Sequence, residues 1–165
     1  MSNTSGLEIE RKWLLRAAPS AQQLAQLGAR PIGLEQIYLS CEPADTIRRL
    51  RRIERDGQIS YVLTTKRRIS NLVRAEAERE ISTAEYTELS GEVDPTRVTI
   101  RKTRWLFDHA GQAFELDIFT EPRQLALLEL ELEVEDQPVI LPPLAIEREV
   151  TDEPEFTNYE LSLKC

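Results

Sequence analysis

Acidic and basic side chains recur at every second position in several segments of the chain. In the first, Leu7 to Trp13, charged Glu8, Glu10 and Lys12 alternate with other residues. Residues two apart in an extended strand point to the same face, so these three charges would share one face. A single such strand is ordinary in an antiparallel sheet with one side in water. Because the layout returns in most later strands, we predict that the charged faces form one site.

The predicted inward face carries acids and bases in nearly equal numbers. The acids are Glu8, Glu10, Glu76, Glu78, Glu115, Asp117, Glu129 and Glu131. The bases are Lys12, Arg49, Arg51, Lys66, Arg74, Lys102 and Arg104. Burying such groups without partners would be prohibitively costly, whereas a near balance and a water-filled cavity remove much of the cost.

The chemistry that suits these side chains is that of a polyphosphate and a hard metal ion. Clustered carboxylates without histidine favour oxygen-preferring cations such as Mg²⁺ or Mn²⁺. Arginine and lysine favour phosphate oxygens, which arginine can bind through two hydrogen bonds. The usual nucleotide motifs, a Walker A loop and G-x-G-x-x-G, are absent from the sequence. The single histidine, His109, lies in a predicted hairpin turn, which favours a solvated loop residue over a catalytic one.

Composition limits the class of protein. A chain of 165 residues with 41% hydrophobic and 30% charged residues predicts a single domain, residues 1–165, with one buried core. A net charge of −8 argues against a nucleic-acid partner. Without a long apolar run or a leader-like start, we expect a cytoplasmic protein with no membrane contact. Cys41 and Cys165 are expected to be free thiols.

The elements that must position the charges are short strands joined mostly by turns. The predicted strands cover residues 7–13, 34–40, 46–53, 59–66, 74–81, 98–107, 113–119 and 128–135. Helices are predicted after the N-cap residues Ser20 and Ser82, and Gly28 ends the first. Asp56-Gly57 and Ala110-Gly111 predict hairpin turns. Pro142-Pro143 opens a predicted C-terminal helix or turn.

Two segments leave an alternative open. Residues 74–81 are rich in strong helix formers, although the N-cap that follows at Ser82 favours a strand. In the run from Arg48 to Arg52, arginines occupy both faces, and shifting the register by one residue would turn the strand over.

Seven or eight such strands with few helices predict a mainly β fold, an antiparallel sheet closed or nearly closed into a barrel. The helices need an apolar surface to cover, and the strands offer one only on the face away from their paired charges. The charges would therefore line the interior of the barrel.

Seven short motifs, in order along the chain, resemble those of the CYTH superfamily, the triphosphate tunnel metalloenzymes. Glu8-Ile9-Glu10-Arg11-Lys12 matches the E-x-E-x-K signature of that family. The others are Arg49-Leu50-Arg51, Lys66, Arg74-x-Glu76-x-Glu78, Lys102-Thr103-Arg104, Phe114-Glu115-Leu116-Asp117 and Leu128-Glu129-Leu130-Glu131. The order of the motifs carries the resemblance, since one E-x-E-x-K alone is weak. It also selects Arg49 and Arg51 as the inward pair.

The resemblance implies an eight-stranded antiparallel β-barrel, a tunnel with a charged interior and a few outer helices. It implies that the seven bases bind a triphosphate and that the eight acids hold Mg²⁺ or Mn²⁺. The catalytic residues it implies are Glu8, Glu10, Lys12, Lys102 and Arg104. One departure is Phe156, which stands before Asn158 where similar bacterial members often carry a tyrosine.

The family implies three reactions, and the motifs look most similar to those of bacterial inorganic triphosphatases. We therefore expect hydrolysis of inorganic tripolyphosphate to pyrophosphate and phosphate. Thiamine triphosphate hydrolysis and cyclisation of ATP, as in class IV adenylate cyclases, are the enzymatic alternatives. A non-catalytic sensor that binds a polyphosphate or nucleotide is the alternative of another class. The expected partner is a small-molecule triphosphate, and the oligomeric state, a homodimer included, stays open.

Overall fold

The computed structural model describes residues 7–40, 46–70 and 73–164. The strands are β1 (Leu7–Leu15), β2 (Arg30–Leu39), β3 (Thr46–Arg55), β4 (Gln58–Arg68), β5 (Val73–Ile81), β6 (Ile100–His109), β7 (Gln112–Glu121), β8 (Leu125–Glu131) and β9 (Ile146–Glu149). The helices are α1 (Ala21–Gln26), α2 (Thr83–Leu89) and α3 (Asn158–Leu161), with 3₁₀ turns at Ser90–Glu92 and Pro154–Phe156. Cys41 and Cys165 lie outside the described residues, as does the side chain of Glu8.

Eight of the strands close into an antiparallel barrel in the order β5-β4-β3-β2-β6-β7-β8-β1. The barrel closes because β1 is shared: Leu7–Ile9 pair with β5, and Glu10–Leu14 pair with β8. The short β9 is an additional strand that pairs with β1 over residues 13–15. The predicted mainly β barrel is confirmed.

Two tight hairpins fix the strand registers as predicted. Asp56 and Gly57 have φ of 51° and 76°, and Ala110 and Gly111 have φ of 51° and 75°. Two central residues with positive φ form the turn whose twist matches that of paired strands. The β3–β4 and β6–β7 pairs each continue from these turns without a long loop.

The apolar faces of the strands point outward and are covered by the helices. Leu24 of α1 lies in a buried cluster with Trp13, Leu116 and Leu128. Leu89 of α2 packs with Tyr86 against Leu39, Leu50 and Ile81 on the other side of the barrel. Ser20 caps α1 by accepting a hydrogen bond from the Gln23 amide at 3.2 Å, as predicted. None of the described helices is long and apolar enough to span a membrane.

A third apolar cluster closes one end of the barrel from within. Ile100, Phe119 and Leu127 each lie two residues from an inward charge on the same strand face, and they pack together with Tyr38. Phe156 and Leu161 of the C-terminal tail, residues 154–164, complete this cluster. The tail therefore docks inside the end of the barrel, next to the charged interior.

The C-terminal third departs from the prediction in two places. The strand predicted over residues 128–135 begins earlier, at Leu125, and ends at Glu131. Its alternation breaks because the backbone amide of Glu133 bonds to the side chain of Gln137 instead of a neighbouring strand. The segment after Pro142-Pro143 forms β9, where a helix or turn was predicted. Residues 74–81 form the strand β5, as predicted, with no helix.

Candidate functional site

The run of arginines on β3 resolves into an inward and an outward pair. Arg49 and Arg51 are only 5% and 9% exposed and face the interior. Arg48 and Arg52 face outward, where they lie 3.4 Å from Glu92 and 3.6 Å from Glu54. The strand register is therefore the one in which Arg49 and Arg51 share the inner face.

Strand pairing places opposite charges side by side within the barrel. Lys12 lies directly across from Glu129, and their charged atoms are 3.2 Å apart. Lys66 lies across from Glu76, with 4.0 Å between them. Glu76 is also 3.8 Å from Arg49, so one carboxylate serves two cations. The inner charges thus neutralise one another in part, which lowers the cost of burying them.

Asp117 is the centre of the most buried part of this network. Its carboxylate accepts hydrogen bonds from Lys102 Nζ at 2.6 Å and from Arg104 Nε and Nη2 at 2.8 and 2.9 Å. Burial opposes its ionisation, but the adjacent Arg104 and Lys102 cations hold the pKa of Asp117 far below its usual value. Both its oxygens are engaged, and in this structure it acts as a counter-ion.

The surrounding charges shift the pKa values of two buried lysines, Lys12 and Lys102, in opposite directions. Burial works against the charge of Lys12, yet Glu129 and Glu10 outweigh it and raise the pKa of Lys12. Burial, reinforced by the Arg104 and Arg51 cations, lowers the pKa of Lys102 to about 7 despite the adjacent Asp117. The difference arises because Lys102 lies near two other cations and shares Asp117 with Arg104, whereas Lys12 lies near both Glu129 and Glu10.

A second group of carboxylates lies close enough together to affect one another. Burial raises the pKa of Glu115, and the negative charges of Glu129, Asp117 and Glu10 add to the effect against the opposing charge of Arg104. Arg104 Nη1 lies 3.0 Å from Glu115. This side of the interior is therefore acidic, and a cation would relieve its repulsion.

A cavity that is partly open to solvent lies among the inner faces of β1 to β5 and the C-terminal tail. Its empty space, with the adjoining open solvent included, is about 470 Å³. Its charged lining consists of Glu10, Lys12, Arg49, Lys66 and Arg74. Its other lining residues are Tyr38, Ile47, Thr64, Thr157, Asn158 and Tyr159. Four cations and one carboxylate give the lining a formal charge of +3. The cavity suits a compact polyanion.

The other predicted site residues with described side chains are not part of the cavity lining. Arg51, Lys102, Arg104, Glu115, Asp117 and Glu129 are inward-facing but are not part of the cavity lining. Glu76 lies next to two of the lining cations, 3.8 Å from Arg49 and 4.0 Å from Lys66. The side chain of Glu78 is 51% exposed, and Glu131 is exposed as well. Glu78 still accepts a hydrogen bond from Thr64 Oγ1 at 3.3 Å.

The predicted eight-carboxylate metal site is not assembled among the described residues. No three of their acidic, cysteine or histidine side chains are grouped so as to hold a metal ion. Mg²⁺, however, commonly uses only one or two protein carboxylates and takes its other ligands from phosphates and water. Glu10 is the carboxylate in the cavity wall, facing the cations that would hold phosphates. The donor set therefore fits a metal bound together with a phosphate chain.

The C-terminal tail supplies site residues whose contacts the sequence does not reveal. Lys12 Nζ donates to the carbonyl oxygen of Phe156 at 3.1 Å, and Lys102 Nζ donates to Asn158 Oδ1 at 2.8 Å. The Tyr159 ring lies 3.2 Å from the Arg97 guanidinium and meets the Tyr38 ring edge-on. The ring of Phe156 packs in the apolar cluster, so its backbone rather than its side chain faces the lysine.

Comparisons with known proteins agree with this architecture. The family described as the CYTH domain matches residues 6–152. The solved structure of the inorganic triphosphatase NE1496 is 30% identical, covers 96% of this chain and 95% of its own, and has a TM-score of 0.60. No curated protein matches the chain.

Two more distant structures support the fold alone. The PH1819 protein from Pyrococcus horikoshii is 22% identical over 78% of this chain and 80% of its own, with a TM-score of 0.58. An adenylyl cyclase candidate from Hippeastrum, described as having a dominant triphosphatase activity, is 19% identical over 77% and 80%, with a TM-score of 0.51.

Proposed function

The chain belongs to the CYTH domain family, and we propose that it hydrolyses inorganic tripolyphosphate to pyrophosphate and phosphate with Mg²⁺ or Mn²⁺. The observation that carries the proposal is the cavity with a formal charge of +3, bounded by four cations and one carboxylate. The similarity to the inorganic triphosphatase NE1496, at 30% identity over nearly the whole chain, supports the choice of substrate.

The basic residues bind the phosphate chain and stabilise the charge that develops during its cleavage. Lys12, Arg49, Lys66 and Arg74 line the cavity and contact the phosphate oxygens. Arg51, Lys102 and Arg104 lie next to them and contribute positive potential from buried positions. Phosphoryl transfer depends mostly on such positioning and electrostatic stabilisation, since little covalent chemistry is asked of the protein.

Glu10 would hold the metal ion from the cavity wall, together with Glu8 as the sequence predicts. When bound there, the metal supplies charge neutralisation on the phosphate oxygens and lowers the pKa of a water molecule. The carboxylates Asp117 and Glu129 instead keep the cations in place, because each is already bonded to a lysine or an arginine. The acids thus divide into a metal-facing group and a group of counter-ions.

The cavity favours an inorganic substrate over a nucleotide or thiamine triphosphate. The aromatic residues of its lining are Tyr38 and Tyr159. Tyr38 is 3% exposed, and the ring of Tyr159 is already covered by Arg97 and in contact with Tyr38. Tyr38 is buried and Arg97 already lies over the ring of Tyr159, so these two residues offer little area on which a base or a thiazole ring could stack.

The test is a panel of substrates with purified protein and either metal. We expect release of phosphate from tripolyphosphate with a higher kcat/KM than from ATP or thiamine triphosphate. Formation of cyclic AMP from ATP as the faster reaction would identify a cyclase. Binding of tripolyphosphate without turnover under every metal condition would identify a sensor and overturn the proposal.

A variant at Glu10 tests the role of the metal-facing carboxylate. Glu10→Gln keeps the size of the side chain and removes its charge, so the metal concentration for half-maximal rate should rise and the rate should fall by roughly 100-fold or more. Glu88→Gln makes the same change at an exposed position on α2 and serves as the control. Both variants should melt within a few degrees of the wild type, because neither loses a buried packing contact. Wild-type metal dependence in Glu10→Gln would remove Glu10 from the site.

A further inference from the structure

Gln36 is a fully buried amide on the inner face of β2, directly across from Arg51 on β3. Its Oε1 accepts hydrogen bonds from Arg51 Nε at 2.9 Å and Nη2 at 2.5 Å. Because a guanidinium can only donate, the amide atom that faces it has to be the oxygen. The orientation of Gln36 is thereby fixed, and its Nε2 has no hydrogen-bond partner among the described residues.

Arg51 differs from the other inward cations in what holds it. Lys12 is paired with Glu129, Arg49 with Glu76, and both Lys102 and Arg104 with Asp117. For Arg51 the structure gives no ion pair within its described part, and the group that holds it is the neutral Gln36. Its position is therefore fixed by a neutral group, and the negative charge that acts on it, that of Asp117, is already hydrogen-bonded to Lys102 and Arg104.

The surroundings of Arg51 increase the effect of that charge. Burial, followed by the nearby Arg49 and Arg104 cations, lowers the pKa of Arg51 to about 9, so it remains charged at neutral pH. The guanidinium groups of Arg49, Arg51 and Arg104 thus repel one another beside a cavity whose lining is itself positive. A polyanion in the cavity would relieve this repulsion.

An amide is not the residue that stability alone would favour at this position. A buried donor without a partner destabilises a fold, and a carboxylate would give Arg51 a stronger, charge-assisted acceptor without leaving such a donor. A glutamate at position 36 would, however, cancel the charge of Arg51. The neutral amide therefore favours anion binding over stability.

We infer that Gln36 is a positioning residue for the triphosphate: it holds the Arg51 guanidinium in place beside the cavity and adds no negative charge that would cancel it. The inference rests on the proposed function, since it takes the anion to be the phosphate chain of the substrate. It adds a neutral residue of β2 to a site otherwise built from charged side chains.

The decisive variant is Gln36→Glu, because it still accepts from Arg51 and changes only the charge. Tripolyphosphate binding is measured by titration calorimetry in EDTA, where no turnover occurs. We expect the affinity to fall roughly 10- to 100-fold, as a new negative charge acts across a poorly screened interior, while the melting temperature stays equal or rises. Gln58→Glu, which adds the same charge at the exposed β3–β4 hairpin, should bind like the wild type.

A double-mutant cycle tests whether Gln36 acts through Arg51. Gln36→Met and Arg51→Met should each weaken tripolyphosphate binding, and the double variant should bind no more weakly than Arg51→Met alone. Additive losses, or a Gln36→Glu protein with wild-type affinity, would overturn the inference and leave the proposed function standing. A wild-type protein that neither binds nor hydrolyses tripolyphosphate would overturn both. If Gln36→Glu fails to fold, the cycle alone decides.

Discussion

Neighbouring arginines on β3 differ in their surroundings although their sequence context is nearly the same. Arg49 is buried in the cavity wall, whereas Arg48 lies on the outer face beside Glu92. Replacing Arg49 with methionine should lower kcat/KM for tripolyphosphate by roughly 10- to 100-fold, the effect of losing a charged hydrogen-bond donor. Arg48→Met is the matched control and should change kcat/KM by less than about twofold. Steady-state kinetics that rank the two variants in the reverse order would contradict the inward role of Arg49.

Lys102 makes the stability of the protein depend on pH. Its pKa is about 7 in the folded protein, against an ordinary value of 10.5, so the unfolded chain holds its proton over a pH range in which the folded protein has lost it. Stability rises with pH wherever the unfolded state binds more protons. The free energy of unfolding should therefore increase between about pH 7 and pH 10 in the wild type by more than in Lys102→Met.

The measurement for Lys102 is urea unfolding of both proteins across that pH range. Subtracting one curve from the other removes the titration of groups that the two proteins share. Parallel curves for wild type and Lys102→Met would mean that the lysine keeps its proton in the folded state, held by Asp117.

Elements with a strong local signal could be predicted from the sequence, and those defined by distant partners could not. The strand at residues 74–81 was favoured over a helix because Ser82 marked the start of α2, and the structure agrees. The strand β9 has only four residues and pairs with β1, which is far away in the sequence. No local pattern therefore predicts it. The strand at Leu125–Glu131 ends early because the backbone amide of Glu133 bonds to the side chain of Gln137.

The site shows the same division between local pattern and long-range contact. Alternation predicts which side chains share a face, since it follows from strand geometry alone, but on β3 only the family resemblance selects Arg49 and Arg51 as the inward pair. It did not distinguish a counter-ion such as Asp117 from a cavity residue such as Glu10, because that depends on which strands are neighbours. The role of Gln36 depends on its cross-strand contact with Arg51, which no local sequence pattern indicates.

The C-terminal tail is an element whose attachment can be tested by itself. Arg97 fastens it through the ring and carbonyl oxygen of Tyr159 and through Ser162 Oγ at 3.0 Å. In Arg97→Met, amide hydrogen exchange in residues 154–164 should speed up while the barrel strands keep their protection, because local opening needs only the lost contacts. KM for tripolyphosphate should change as well, since Thr157, Asn158 and Tyr159 line the cavity. Arg48→Met again serves as the control, and unchanged exchange in the tail would contradict this role for Arg97.

At the scale of the whole molecule, the barrel folds around a set of charges that are largely paired with one another. A chain of net charge −8 contains a cavity of formal charge +3, so the fold separates a basic interior region from a predominantly acidic remainder. The buried pairs, such as Lys12 with Glu129 and Lys102 with Asp117, do not require a metal ion to hold them. We therefore expect the metal of the proposed reaction to be dispensable for the fold.

This separation predicts that removing the metal stops the reaction and leaves the structure intact. With EDTA, hydrolysis of tripolyphosphate should fall to the background rate, while the melting temperature of the free protein should stay within about a degree of its value with Mg²⁺. Tripolyphosphate should still raise the melting temperature in EDTA, because a ligand that binds only the folded state stabilises it and the cations of the cavity remain available. The measurements are thermal melts with and without EDTA, each with and without tripolyphosphate, beside the hydrolysis rate. Full turnover in EDTA would exclude a metal from the mechanism, whereas a large drop in melting temperature with EDTA alone would mean that the inner acids need a metal in order to fold.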